Sequence, residues 1–455
     1  ILASAFNRNH KITQEGGVIP EEYRVEYVAD RTITTSTIMM GLTVECARCH
    51  SHKYDPVSQK EFFNLFSFFN NVDENGIIAY GDTAPKPNLT IKKGETESEL
   101  SFVNLPDSIN KVTLMVMKES ENLRKTYVLN RGSYDAPTYE VEPGTPKIIL
   151  PFDEKKYPKN RIGLTKWFFE KDNPLTSRVA VNRIWQQFFG VGIVSTPDDF
   201  GSQGSKPINP ELLDWLAYTY QNSDEWDTKK FIKRIVMSST YRQSSKIKAE
   251  NLIIDPDNTY LAQYPRQKLS AEMVRDNALA SSGMLVKRIG GPSVKPMQPE
   301  GLWDEVTGGG GGSLAFYVPD TGENLFRRSL YTFWKRTVPP PSMMIFDAPT
   351  RDFCVTVRQK TSTPLQSLAL MNDPQFLLAA ENLSNKIFEE SNLEIDDKII
   401  KLYRTITARM PNSIELNKLN QYLEEVKNIS NITEKEAFFS LGVLVYNLDE
   451  TTQKS

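Results

Sequence analysis

The chain has 455 residues, room for about two to four domains, and its 39% hydrophobic and 24% charged residues are enough to bury a core. A formal net charge of −3 leaves no basic stripe for nucleic acid or an anionic membrane surface, and no apolar run reaches the ~18–20 residues of a membrane span. Three cysteines, Cys46, Cys49 and Cys354, exclude a fully paired disulfide framework.

The N-terminus reads ILASAFNRNH, with no Met and no signal-peptide pattern. The chain is therefore expected to start downstream of whatever segment carried a targeting signal. Pro20, Glu21 and Glu22 open a helix predicted over 21–50, with acids in its first turn. Ile38, Leu42 and Cys46 fall at steps of four on one face, and Cys49 and His50 extend that face if the helix continues. A second amphipathic run, SQKEFFNLFSFFNNV, carries Phe62, Phe63, Phe66 and Phe69, which are expected to form core. Residues 76–160 are richer in Pro, Gly and Thr, with short alternating runs such as VTLMVMKE and TYVLNRG, and read as a β-rich or irregular connector.

Helical patterning returns from residue 161. SRVAVNRIWQQFFGVGIV, NPELLDWLAYTYQNS, DTKKFIKRIVMSSTYRQSS and SAEMVRDNALASSGML each carry a helical stripe and start at or near a capping residue. Gly308–Gly312 is predicted as a flexible loop, and the run from Thr361 as one or two helices broken at Pro374. The expected architecture is mainly α: a helical haem-bearing region over 1–80, a connector over 81–160, and a larger helical domain over 161–455. Cys354 is expected to be a small buried residue.

The chemistry concentrates in Cys46-Ala47-Arg48-Cys49-His50. Cys-x-x-Cys-His is the attachment signature of c-type haem: two thiols one helical turn apart can each form a thioether, and the adjacent His can ligate the iron. Zinc is the rival, since Cys46, Cys49, His50 and His52 are suitable ligand types, but four ligands within seven residues strain a tetrahedral site. A redox dithiol is a third reading, though it expects a strand-then-helix setting. The chain has three histidines. His52 is too close to His50 to reach the opposite side of the same iron, which leaves His10 as the favoured distal ligand, with Met39 and Met40 as alternatives. Bis-His ligation gives a lower potential than His/Met. Arg48 is a candidate partner for a haem propionate.

These stretches resemble the planctomycete-type cytochrome proteins, which also occur in other bacteria including Bacteroidetes. That family combines two long regions of unknown function, often behind a separate small cytochrome c domain. The first region is carried by FNRNHKITQEGGVIPEEYRVEYVADR, GLTVECARCHSHKYDPVSQKEFFNLFSFFNNVDENG and LNRGSYDAPTYEVEPGTP. The second is carried by NPLTSRVAVNRIWQQFFGVGIVSTPDDFG, FRRSLYTFWKRTVPPPSMMIFDAPTRDFCVTVRQKTSTPLQSLALMNDPQF and LGVLVYNLDE, among others. Ser51 stands where the family usually has Asp. The resemblance implies export to the periplasm or cell surface and makes the motif at Cys46, Cys49, His50 and His52, with the FNRNH segment ending at His10, family features; a setting near polysaccharide-degrading systems comes with it as an association. One covalent haem c is the expected cofactor, with a redox partner protein of unknown identity. Arg351, Cys354 and Arg358 lie in a Pro- and Asp-rich loop that matches the family closely, where the arginines either pin the loop by salt bridges or bind an anion such as a propionate or a sulfated sugar. Asp82-Thr83-Ala84 and Asp107-Ser108-Ile109 resemble Bacteroidetes O-glycosylation motifs, with Thr83 and Ser108 as acceptors. The expected function is electron transfer. The alternatives are a haem redox enzyme with an open iron position, and a structural or glycan-binding component with a small zinc site.

Overall fold

The computed structural model describes residues 2–79, 84–94, 110–303, 316–336 and 338–454. The expected Gly308–Gly312 loop lies outside them. The fold is mainly α as expected, with 46% helix against 8% strand. Described residues through 265, with 352–356, form one compact unit, and 266–351 with 357 onward form a second.

In the first unit α1 spans Pro20–Met40 and α2 spans Gln59–Ser67. The start of α2 is fixed by a capping box: Glu61 N–H donates to Ser58 Oγ, and the Glu61 carboxylate accepts from Ser58 N–H. Two small antiparallel sheets follow, β1 (Asn88–Lys92) on β2 (Lys111–Met115) and β3 (Thr126–Leu129) on β4 (Pro137–Val141). The alternating runs of the connector thus become β2 and β3. Six helices complete the unit: α3 (Arg161–Phe168), α4 (Thr176–Phe189), α5 (Pro210–Tyr218), α6 (Thr228–Val236), α7 (Ser239–Arg242) and α8 (Ala249–Ile254). Phe62, Phe63, Phe66 and Phe69 are all buried and pack in one core with Trp167 and Phe168. At about 1.5–3 kcal/mol for each buried aromatic, these side chains are the main anchor of α2. A second core gathers Val181, Trp185, Phe189, Leu216 and Phe231 from α4, α5 and α6.

The second unit opens with β5 (Gln267–Lys268) and α9 (Ala271–Ser281). It continues through α10 (Pro341–Ile345), α11 (Pro364–Asn372), α12 (Pro374–Phe388), α13 (Ile395–Thr407), α14 (Ser413–Ser430) and α15 (Glu434–Tyr446), and ends in β6 (Gln453–Lys454), which pairs with β5. The break between α11 and α12 falls at Pro374 as expected, with Asp373 capping the second helix through Gln375 N–H. Its core packs Leu383, Ile387, Leu402, Phe438 and Leu441. Arg275 is buried there on neutral acceptors, donating to Gln375 Oε1 at 2.6 Å, Leu325 O at 2.7 Å and Arg327 O at 2.8 Å. Burial pushes its pKa down to about 10. No helix among the described residues is long and apolar enough to cross a membrane.

Candidate functional site

The expected helix over 21–50 stops short of the motif. Gly41 takes a left-handed conformation, φ 61°, and its N–H closes on Thr37 O. The last carbonyls of α1 are bound from α4: Arg183 donates to Ile38 O at 2.9 Å and to Thr37 O at 2.6 Å. Phe200 N–H reaches Gly41 O at 2.7 Å. A side chain at 41 would meet the Phe200 ring at 2.7 Å, so the chain can turn here only with glycine. The Ile38–Leu42–Cys46 stripe therefore does not continue through the motif, which forms its own tight turn.

That turn is a 3₁₀ segment over Glu45–Arg48. Ala47 is fully buried, which turns its neighbours outward: Cys46, Cys49 and His50 are all exposed. Cys49 N–H and His50 N–H both reach Cys46 O, at 3.3 and 3.4 Å, so all three residues belong to one tight turn. Both thiols are free. His50 Nδ1 lies 2.8 Å from Ser51 O. A carbonyl can only accept, so Nδ1 carries the proton and Nε2 is the nitrogen left with its lone pair.

Four contacts hold the turn. Gln59, at the start of α2, donates from Nε2 to Arg48 O and Leu129 O, both at 3.0 Å. Arg48 forms a two-pronged ion pair with Glu26 on α1, one contact being Nη1 to Oε2 at 2.8 Å, and also donates to Gly132 O at 3.3 Å. The pair raises the Arg48 pKa. Arg48 is thus engaged by protein. Gly132, at φ 71°, lies so close that a side chain there would meet Cys49 Sγ at 3.2 Å and Arg48 Cγ at 3.0 Å.

His52 points the other way. Its Nδ1 accepts from Asp55 N–H at 2.8 Å, and its side chain is almost wholly buried. The Asp55 carboxylate accepts from Ser202 N–H at 2.7 Å and Ser202 Oγ at 2.8 Å. A Cβ on Gly201 would stand 2.4 Å from Asp55 Oδ2. Gly201→Ala is expected to displace Asp55 and cost about 1–3 kcal/mol. Thermal melting checks this, and a variant melting with its parent would remove the clamp from the account. Among the described residues no three His, Cys, Asp or Glu side chains are gathered as metal ligands, so Cys46, Cys49, His50 and His52 do not converge into a four-ligand cage.

His10 lies in a buried charge network on α1. Arg31 donates from Nη2 to His10 Nε2 at 2.6 Å, and His10 Nδ1 sits 2.6 Å from Lys11 O, so both ring nitrogens are engaged. The ring packs on Tyr27 at 4.6 Å. Glu74 closes the network, accepting from Arg31 Nη2 and Arg8 Nη1 at 2.6 Å each. Burial first, then the Arg31 charge, lowers the His10 pKa to about 4. An unfolded chain takes up this proton near pH 6.5, the folded chain only near 4, so stability is full above 6.5 and falls as pH drops toward 4. Urea unfolding across that window is expected to show the slope in the parent and a flatter line in His10→Gln. Below about pH 4.5 protonation of Glu74, whose pKa its arginines lower, adds a second loss. Met40 is fully buried and Met39 partly so, against the same core.

The other anticipated residues lie elsewhere. Arg351 stacks on Trp334 at 4.2 Å and Arg358 pairs with Glu272 at 2.8 Å, both in the second unit. Cys354 is exposed, not buried: it sits in a surface loop with Phe353 and Val355, themselves exposed. Thr83 and Ser108 lie outside the described residues. Glu26, Gln59, Gly132 and the Arg8–Arg31–Glu74 network carried no assigned role from sequence. The signal was present for Arg31, which shares a helical face with Arg24 seven residues earlier, among the apolar positions Val25 and Val28.

The geometry defines a mainly helical chain that presents an exposed Cys-x-x-Cys-His turn pinned against α1, α2 and β3. Residues 160–423 match PSD1, a protein family of unknown function (DUF1553), and residues 1–74 match PSCyt2, a second family of unknown function (DUF1549). The first match covers more than half of the chain, and the chain belongs to the PSD1 family. No curated protein and no solved structure matches it. The PSCyt2 region and residues 160–265 of the PSD1 region lie in the same compact unit.

Proposed function

We propose that this chain is an extracytoplasmic c-type haem protein that transfers electrons, with Cys46 and Cys49 as thioether anchors and His50 as the proximal ligand. The observation that carries the reading is the single exposed turn that carries two free thiols and an Nδ1-protonated histidine. The haem would supply an iron that cycles between two oxidation states. The protein's own part is orientation. Ser51 O fixes the His50 tautomer, a hydrogen bond of the kind that sets ring orientation and basicity in metal-ligating histidines. Gln59, Gly132 and the Arg48–Glu26 pair hold the turn in place. Covalent haem attachment takes place outside the cytoplasmic membrane, which supports a periplasmic or cell-surface location. The setting near polysaccharide-degrading systems makes an assembly of that kind the proposed source of a redox partner.

A second reading, a redox enzyme with an open iron position, is favoured by one observation: His10 has both ring nitrogens engaged. It ligates iron only if Arg31 releases it. The spin state of the parent and of His10→Ala separates the two. A low-spin parent that turns high-spin in the variant makes His10 the distal ligand, whereas a parent already high-spin and unchanged by the substitution supports the enzyme. The primary test is a pyridine haemochrome spectrum, expected to give a c-type band at about one haem per chain. No haem band, with zinc found by elemental analysis, would overturn the proposal in favour of a structural or glycan-binding component.

A further inference from the structure

The second unit holds a cationic cluster that the haem reading does not use. Arg351 sits at φ 64°, a left-handed conformation that costs a residue with a side chain about 1–2 kcal/mol. Its guanidinium lies 4.2 Å over the Trp334 ring, and that ring is held in turn, since Trp334 Nε1 donates to the carbonyl of Thr350 at 3.0 Å. The flat face of Arg351 is thus occupied. Its N–H edges make no hydrogen bond or ion pair among the described residues.

Arg358 stands nearby, donating to Glu272 Oε2 at 2.8 Å. Burial is the first cause of a lowered Arg351 pKa, and the charges of Arg358 and Arg336 lower it further against the opposing pull of Glu272. Arg351 thus feels the charges of Arg358, Arg336 and Glu272 together. The loop is closed by Asp347, whose carboxylate accepts from Thr361 N–H at 2.7 Å and Thr361 Oγ1 at 2.9 Å. Arg351 and Arg358 lie between these two tethers.

A purely structural role accounts for Arg358, which has its carboxylate partner. It does not account for the N–H edges of Arg351, which bond to none of the described residues although the backbone there is strained. We propose that Trp334, Arg351 and Arg358 form a binding site for a tetrahedral oxyanion, the sulfate or phosphate group of an acidic ligand. An arginine stacked on an aromatic ring keeps its planar fork of donors, and two parallel N–H groups match two oxygens of such a group. The Arg351 charge supplies attraction, and Trp334 removes the entropy cost of ordering the fork.

The test is calorimetric titration of the full chain with dextran sulfate, with unsulfated dextran, and with inorganic sulfate and phosphate. Dextran sulfate is expected to bind and dextran not. Arg351→Gly is the informative variant, because it removes the guanidinium while glycine accepts φ 64° without strain, so its melting temperature is not expected to fall. Binding should weaken at least tenfold in this variant and nearly as much in Arg351→Lys, which keeps the charge but loses the fork. Lys435→Ala, which removes an exposed charge in the same unit, should stay within twofold of the parent. Arg351-dependent binding of inorganic sulfate or phosphate without binding of dextran sulfate also supports the site and identifies a free ion as its source. Failure of every oxyanion to bind, unchanged affinity in Arg351→Gly, or an equal loss in Lys435→Ala would overturn the proposal.

Discussion

Replacing Glu74 with alanine is expected to cost the first unit about 3–5 kcal/mol, the range for breaking a buried ion pair from one side. The Glu74 side chain is 2% exposed, and its partners Arg8 and Arg31 are 3% and 2% exposed. Neither arginine can reach water when the carboxylate is removed, so two charges lose their counter-ion in a low-dielectric setting. The loss spreads through Arg31 to His10 and, through Arg31 Nε, to Asn7 O at 3.0 Å. Glu389→Ala is the matched control. It breaks a pair with Lys435 of similar length, 2.9 Å, whose side chains are 67% and 46% exposed, and is expected to cost under about 1 kcal/mol. Chemical denaturation of the two variants measures the contrast, and comparable losses would show that burial is not what makes the Glu74 network matter.

On the proposed haem reading, the double substitution Cys46→Ser and Cys49→Ser is expected to abolish covalent haem, taking the haemochrome yield from about one per chain to none, while the melting temperature changes by only a few degrees. Both thiols are exposed and free, so serine in their place opens no cavity and strands no buried polar group. Single substitutions test the geometry further. Cys49 lies against Gly132, so Gly132→Ala should disturb attachment at Cys49 more than at Cys46. Mass spectrometry of haem-linked peptides reads this directly. Covalent haem persisting in the double serine variant would remove the two cysteines from the proposed site.

What could be read from the sequence follows from how local the cause was. The helices after residue 161 were legible because their signals are short-range: Asn209, Asp227 and Ser270 each cap a helix through the N–H of the third residue beyond. The end of α1 was not. Its apolar steps run on through Leu42, and what stops the helix is Gly41 pressed against Phe200 and Arg183 clasping the last carbonyls, contacts from about 150 residues away. The Cys-x-x-Cys-His motif was visible as a string, but its supports were not. Glu26, Gln59 and Gly132 become neighbours only when α1, α2 and the turn after β3 close around the motif. His10 illustrates the same limit from the other side: a histidine in a polar, glycine-flanked stretch looked available, and its engagement depends on Glu74 and Arg31, which bury it in a charge network.

The clasp between α1 and α4 bears on how such genes can change. The last carbonyls of α1 are satisfied by Arg183, Gly41 is matched to Phe200, and Asp55 is matched to Ser202. Each pair joins the PSCyt2 region to the PSD1 region. A recombination event or truncation in the stretch between those regions would leave a helix end without its cap and a buried aspartate without its donors, on both sides of the cut at once. Lineages are therefore expected to gain or lose the two regions together, and insertions between them to collect in the connector, where chain length can vary without parting the clasp.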